Sequence, residues 1–91
     1  MKLSDQALLR TRAYIDGRWT DADNGDTLPV TNPATGKTIA EVAKCGTAET
    51  RRAIEAAEKA QVEWRKRPAK DRAAILRKWF DLMMAGQEDL A

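Results

Sequence analysis

The sequence predicts an α/β architecture in which β-hairpins come first and a helical hairpin follows. Three observations predict it. Asp16-Gly17 separates two short β-prone runs, and that pair favours a two-residue turn in which both central residues have positive φ. Asn32-Pro33-Ala34-Thr35-Gly36 is a dense turn signal between a second pair of β-prone runs. After Gly46 the apolar spacing changes from two to three and four residues, the period of a helix.

Taken in order, Ser4 is placed to cap a short helix through Leu9. Ala13 to Trp19 reads as a tight hairpin, with Tyr14 on one face and Ile15 on the other. Asp21 to Asp26 is polar and centres a second reversal on Asn24-Gly25. Strands are expected at Thr27–Thr31 and Lys37–Ala43, and Pro29 marks the first as an edge strand. The hairpin region thus spans residues 13–45.

Two helices follow, at 47–66 and 68–85. Thr47 is the expected N-cap of the first, and Glu49 suits its first turn electrostatically. Ala53, Ile54, Ala57, Ala60 and Trp64 form its apolar stripe, mostly alanine. Pro68 is expected to open the second helix. Ala69, Ala73, Leu76, Phe80 and Met83 line one face, while Ile75, Trp79 and Leu82 widen it beyond what a two-helix hairpin covers. Gly86 is expected to stop that helix. Gln87-Glu88-Asp89-Leu90-Ala91 reads as the acidic first turn of a third.

Composition narrows the function classes. Ninety-one residues allow one small domain, and the 43% hydrophobic fraction is heavily alanine, which adds little buried area. The large apolar face of the second helix therefore marks an interface, either with another molecule or with further chain. Sixteen basic and 14 acidic residues give a net charge of +2, which points to no class of partner. The basic run from Arg65 to Lys78 has no aromatic platform or glycine loop beside it and reads as a solvated helix face. Nucleic acid and membrane are not expected partners.

The residues that usually carry chemistry are missing. A cysteine nucleophile needs a base to form thiolate. Cys45 is the only cysteine and the chain has no histidine, so Cys45 is read as filling a small site at a strand end. A single cysteine suits a reducing, cytoplasmic setting. No phosphate-cradling glycine motif and no metal-ligand spacing occur. The residues themselves thus assign no catalytic, cofactor-binding or metal position.

Their order does carry a resemblance. Ile15-Asp16-Gly17-Arg18-Trp19, then Thr31-Asn32-Pro33-Ala34-Thr35-Gly36, Ile39-Ala40-Glu41-Val42, an alanine-rich helix ending Trp64-Arg65, and Asp71-Arg72-Ala73-Ala74-Ile75-Leu76-Arg77 together resemble the N-terminal segment of NAD(P)-dependent aldehyde dehydrogenases. Leu76 to Met84 is most similar to bacterial succinate-semialdehyde dehydrogenases. Pro68 departs from the serine or threonine cap of many relatives, which alters helix entry only.

The resemblance implies that residues 1–91 are the N-terminal portion of a Rossmann-like cofactor domain. The enzyme it implies oxidises an aldehyde, succinate semialdehyde by subfamily likeness, through a cysteine thioester with NADP or NAD. That enzyme is a cytoplasmic homodimer or homotetramer whose catalytic and cofactor-binding residues lie outside this chain, and this chain alone is expected to be inactive. Some relatives bind a monovalent cation through backbone carbonyls that would fall near Val30 and Thr31. The competing reading is a stand-alone interaction module that binds a protein partner through its exposed aromatic helix face.

Overall fold

A computed structural model describes residues 2–91. Its elements are a 3-10 turn at Gln6–Leu8, strands β1 (Ala13–Ile15), β2 (Arg18–Thr20), β3 (Thr27–Thr31) and β4 (Thr38–Ala43), and helices α1 (Thr47–Lys66), α2 (Ala69–Ala85) and α3 (Gln87–Leu90). They divide between two units, one formed by residues 10–58 and the other by residues 2–9 with 59–91.

In the first unit, two antiparallel hairpins form separate two-stranded sheets. β1 and β2 pair Ala13 with Thr20, Tyr14 with Trp19 and Ile15 with Arg18. The turn between them holds Asp16 at φ 51° and Gly17 at φ 75°, the mirror-image geometry whose twist matches that of the strands. Tyr14 and Trp19 meet across this ladder with ring centroids 4.9 Å apart at 59°, and the Arg10 guanidinium lies 4.7 Å from the Trp19 ring centre. Aromatic cross-strand pairs of this kind hold the register of a short ribbon.

The second reversal is a turn closed by the Gly25 N–H donating to the Ala22 carbonyl at 2.9 Å, with Gly25 at φ 75°. Its hydrogen-bonded centre is Asp23-Asn24, one residue before the expected position. The Asn24 side chain accepts from the Asp26 N–H at 2.9 Å, an Asx turn that leads into β3.

β3 and β4 pair Thr27 with Ala43, Leu28 with Val42, Pro29 with Glu41 and Val30 with Ala40, then shift so that Thr31 faces Thr38. The shift leaves Ile39 as an extra residue, a bulge beside the turn. Asn32 organises that turn. Its carbonyl accepts from Thr35 and Gly36, its N–H donates to the Lys37 carbonyl, and its side chain accepts from the Ala34 N–H. Gly36 takes φ 74°, the left-handed position that only glycine adopts without cost.

The second unit is helical. Pro68 does not open α2 from within: at φ −55° and ψ 147° it stands as the cap, and α2 begins at Ala69. Its carbonyl accepts from the N–H groups of Asp71 and Arg72, so proline gives a preset φ without a side-chain acceptor. Gly86 ends α2 at φ −103°, not in the left-handed region, and its N–H donates to the Leu82 carbonyl. The acidic segment after it does form a helical turn, α3, with Glu88 and Asp89 in its first turn.

The N-terminal segment is tied to that turn. Asp89 Oδ1 accepts from the Ser4 N–H at 2.8 Å and Oδ2 from the Asp5 N–H at 3.0 Å. Ser4 is therefore not the cap of the 3-10 turn; Asp5 is, through its Oδ1 accepting from the Ala7 N–H. Aspartate with a neighbouring N–H two residues on wins the local competition because its carboxylate is the stronger acceptor.

Candidate functional site

The least exposed polar group of the described residues is Glu49, 6% exposed, and beside it in that class stands only Ala22 at 5%. Glu49 Oε2 accepts from the Gly46 N–H at 3.3 Å and from the Asp23 N–H at 3.4 Å. The Thr50 N–H donates to the Gly46 carbonyl at 3.0 Å, so Gly46 occupies the cap position and Thr47 is the first helical residue. Glu49 supplies the reaching-back half of a capping box. The expected Thr47 cap is replaced because the buried carboxylate already serves the free N–H of residue 46.

Around Glu49, Arg52 grips Asp23 with two parallel bonds, Nη1 to Oδ2 at 2.9 Å and Nη2 to Oδ1 at 2.7 Å. Hydrogen bonding to Arg52 lowers the Asp23 carboxyl below its ordinary range, and the same bond raises the Arg52 guanidinium. Both side chains remain about half exposed. The junction thus fixes the turn at Ala22–Gly25 to the first two turns of α1.

This junction is structural in what it can do. A helix N-terminus attracts anions, but the Glu49 carboxylate occupies the one at α1. The remaining glycines stand at hairpin turns or at the end of α2, and none opens a βαβ phosphate loop. The donor set therefore does not fit the pyrophosphate of a dinucleotide. Cys45 is half-buried, and the chain has no histidine to act as its base. Among the described residues no group of three potential metal-ligating side chains gathers at one place. Among the described residues no helix is long and apolar enough to cross a membrane.

Along the exposed side of α1, Thr47, Thr50, Arg51, Ile54 and Glu55 line an open groove of about 560 Å³. Ile54 is 62% exposed there. The sequence placed Ile54, Ala57 and Ala60 on the inward stripe, but all three are exposed, and the less exposed positions are Glu49, Ala53, Ala56 and Trp64. The buried carboxylate, not the largest aliphatic, sets the rotation of this helix. Sequence reasoning missed that role of Glu49; the signal available was a glutamate three residues after a glycine that precedes a helix.

α2 presents a run of uncovered apolar side chains. Ile75, Leu76, Trp79, Phe80, Leu82 and Met83 are all exposed, Trp79 by 60% and Leu82 by 63%. The expected wide aromatic face is present, and the described residues leave it open.

Two hairpins followed by an alanine-rich helix and an aromatic-faced helix share their backbone with solved dehydrogenases, among them an aldehyde dehydrogenase of Brucella melitensis at a TM-score of 0.93 and 45% identity over 98% of this chain and 18% of that one. The chain belongs to the aldehyde dehydrogenase family, whose pattern it matches over residues 19–91. It is 62% identical over 91 residues to the glutarate-semialdehyde dehydrogenase of Pseudomonas putida, covering all of this chain and 19% of that protein. It is 54% identical, with the same coverage, to the NADP(+) succinate-semialdehyde dehydrogenase GabD of Escherichia coli.

Among solved structures, the succinate-semialdehyde dehydrogenase of Burkholderia pseudomallei superposes with a TM-score of 0.94 at 52% identity, covering 99% of this chain and 19% of that one. The chain therefore spans about a fifth of the length of these relatives and corresponds to their N-terminal part. The stand-alone interaction module finds no support in these comparisons.

Proposed function

We propose that this chain forms the N-terminal portion of the cofactor-binding domain of an enzyme that oxidises a short ω-oxo carboxylate to the dicarboxylate, using NADP or NAD. The observation that carries this reading is the identity of 54–62% over the whole chain to enzymes named for glutarate and succinate semialdehyde. The glutarate relatives stand at 60–62%, which widens the substrate class from the C4 semialdehyde to the C4 and C5 pair.

In this reading the contribution of residues 1–91 is architectural. The hairpins and α1 form a layer locked by Glu49 and the Asp23–Arg52 pair, and α2 offers apolar surface to the remainder of the enzyme. The thiolate, the water-activating carboxylate and the nucleotide site belong to that remainder. Cytoplasmic location fits the single unpaired cysteine, and a homodimer or homotetramer is the assembly proposed.

The test is turnover by the polypeptide that carries these residues. NADP+ or NAD+ reduction is followed with glutarate semialdehyde, succinate semialdehyde and the uncharged control butanal. At least one semialdehyde is expected to exceed butanal in kcat/KM by tenfold or more. Equal values for all three, or no reduction of either cofactor, overturn the reading.

A further inference from the structure

We propose that Asn24 is a site of spontaneous covalent modification, where the exposed turn between β2 and β3 converts an asparagine into isoaspartate and so loosens the junction at the start of α1. The inference stands on the first unit alone and does not depend on the family reading.

The chemistry follows from the residue that comes next. A backbone nitrogen can attack the side-chain Cγ of a preceding asparagine, one of the thermolabile residues, and close a five-membered imide. The N–Cγ bond forms and the Cγ–Nδ2 bond breaks. The backbone proton passes to solvent, while the side-chain nitrogen takes a proton from water and leaves as ammonia. Water then opens the imide at either carbonyl. One opening gives aspartate; the other gives isoaspartate, whose main chain runs through Cγ and is one methylene longer. A following glycine has no Cβ to obstruct the attack. The chain has two asparagines, Asn24 before Gly25 and Asn32 before Pro33. Pro33 has no N–H to give up, so Asn32 cannot close the ring and serves as an internal control.

The turn favours the reaction. Asn24 and Gly25 are both exposed, and a Cβ on Gly25 would meet nothing within 4 Å, so no neighbouring group crowds the site. Asn24 Oδ1 accepts from the Asp26 N–H at 2.9 Å, and Nδ2 donates to Asp26 Oδ2 at 3.0 Å. The first bond polarises the side-chain carbonyl and meets the charge that develops on its oxygen during attack. Its donor is fixed, because the Asp26 carbonyl accepts from the Lys44 N–H at 2.8 Å. The ring closed by this Asx bond contains both Cγ and the Gly25 nitrogen, which keeps the reacting atoms close. One contact opposes the attack: the Gly25 N–H donates to the Ala22 carbonyl at 2.9 Å. A single turn bond of ordinary net strength slows it by about tenfold at most.

Asp23, immediately before the site, carries both links to α1. Its N–H donates to Glu49 and its carboxylate pairs with Arg52. The extra methylene of isoaspartate lengthens the ring closed by the Gly25–Ala22 bond and pulls Asp23 out of line with Arg52. Aspartate at position 24 keeps both the chain length and an acceptor for the Asp26 N–H.

The experiment ages the intact polypeptide that carries these residues, folded and in urea, in mildly alkaline buffer. Mass spectrometry follows the peptides holding Asn24 and Asn32, and an isoaspartate methyltransferase reports the isomer. Asn24 is expected to deamidate at least tenfold faster than Asn32, at a rate in the folded protein within about tenfold of that in urea, with isoaspartate the larger product. Gly25→Ala and Asn24→Gln are each expected to slow the reaction at least tenfold. Labelling of Arg52 by phenylglyoxal is expected to rise at least threefold in the isoaspartate form and less than twofold in Asn24→Asp. An Asn24 that persists in the folded protein while it deamidates in urea overturns the proposal, as does equal loss from the two asparagines. Unchanged Arg52 labelling in the isoaspartate form overturns the link to α1.

Discussion

Glu49 places a carboxyl group at one of the two least exposed of the described positions, which costs free energy unless donors surround it. Its donors are the N–H groups of Gly46 and Asp23 at 3.3 and 3.4 Å, long enough to place each at the weak end of a charge-assisted bond. Glu49→Ala strips both N–H groups of their acceptor and is expected to destabilise the intact enzyme by about 1–3 kcal/mol. Glu49→Gln keeps an acceptor and is expected to recover most of that loss. Urea unfolding of both variants checks the order; equal losses would mean that packing, not hydrogen bonding, fixes the residue. Gly17 provides a contrast, because a Cβ there would meet nothing within 4 Å. Only its φ of 75° resists substitution, so Gly17→Ala is expected to cost about 1–2 kcal/mol with no change elsewhere in the hairpin, as chemical shifts of Tyr14 and Trp19 would show.

Among the elements, the hairpins are the most legible from sequence, since each reversal is written in residues whose backbone requirements are specific. Asp16-Gly17 and Asn32 to Gly36 lead to positive φ at Asp16, Gly17 and Gly36, and Pro29 sits in a strand with a single partner. Helix rotation is less legible. Alanines at 53, 56, 57 and 60 satisfy more than one stripe, and Ile54 drew the reading toward a face that is open. What fixes α1 is a polar contact 26 residues distant, from Asp23 to Glu49, and periodicity contains no such information. The clamp of Asp89 on Ser4 and Asp5 is equally silent in sequence, with 85 and 84 residues between the partners.

That clamp has a pH signature. The two backbone N–H donors lower the Asp89 carboxyl below its ordinary value. A depressed folded value contributes stability that is present above the unfolded value, about 3.9, and is lost as pH falls through the folded one. The N-terminal segment is therefore expected to stay anchored down to about pH 4 and to release below it. Amide exchange at Ser4 and Asp5 should rise there ahead of exchange in the middle of α1, and Asp89→Ala should give the released behaviour at neutral pH. Uniform acceleration of all amides with acid would show that Asp89 has no separate role.

For the whole molecule, the family is legible in the order and spacing of five short fragments, whereas the Glu49 junction is not, because its partners lie far apart in the sequence. Exposed apolar side chains decide how the chain behaves by itself. Ile75, Leu76, Trp79, Phe80, Leu82 and Met83 are all about half exposed on α2, and a fully buried side chain of this kind is worth about 1.5–3 kcal/mol, so the six forgo roughly 5–9 kcal/mol. That is comparable to the 5–15 kcal/mol by which whole domains are stable. The hairpin turns and helix caps are local and survive as fluctuating structure, but they do not close a deficit of that size. The 91-residue chain alone is thus expected to lose its helical signal gradually on heating, without a calorimetric peak, and to reduce neither NADP+ nor NAD+ with a semialdehyde. A sharp, reversible transition of the isolated monomer, with Trp79 fluorescence shifting to the red as it melts, would show that the aromatic face finds its cover within the chain.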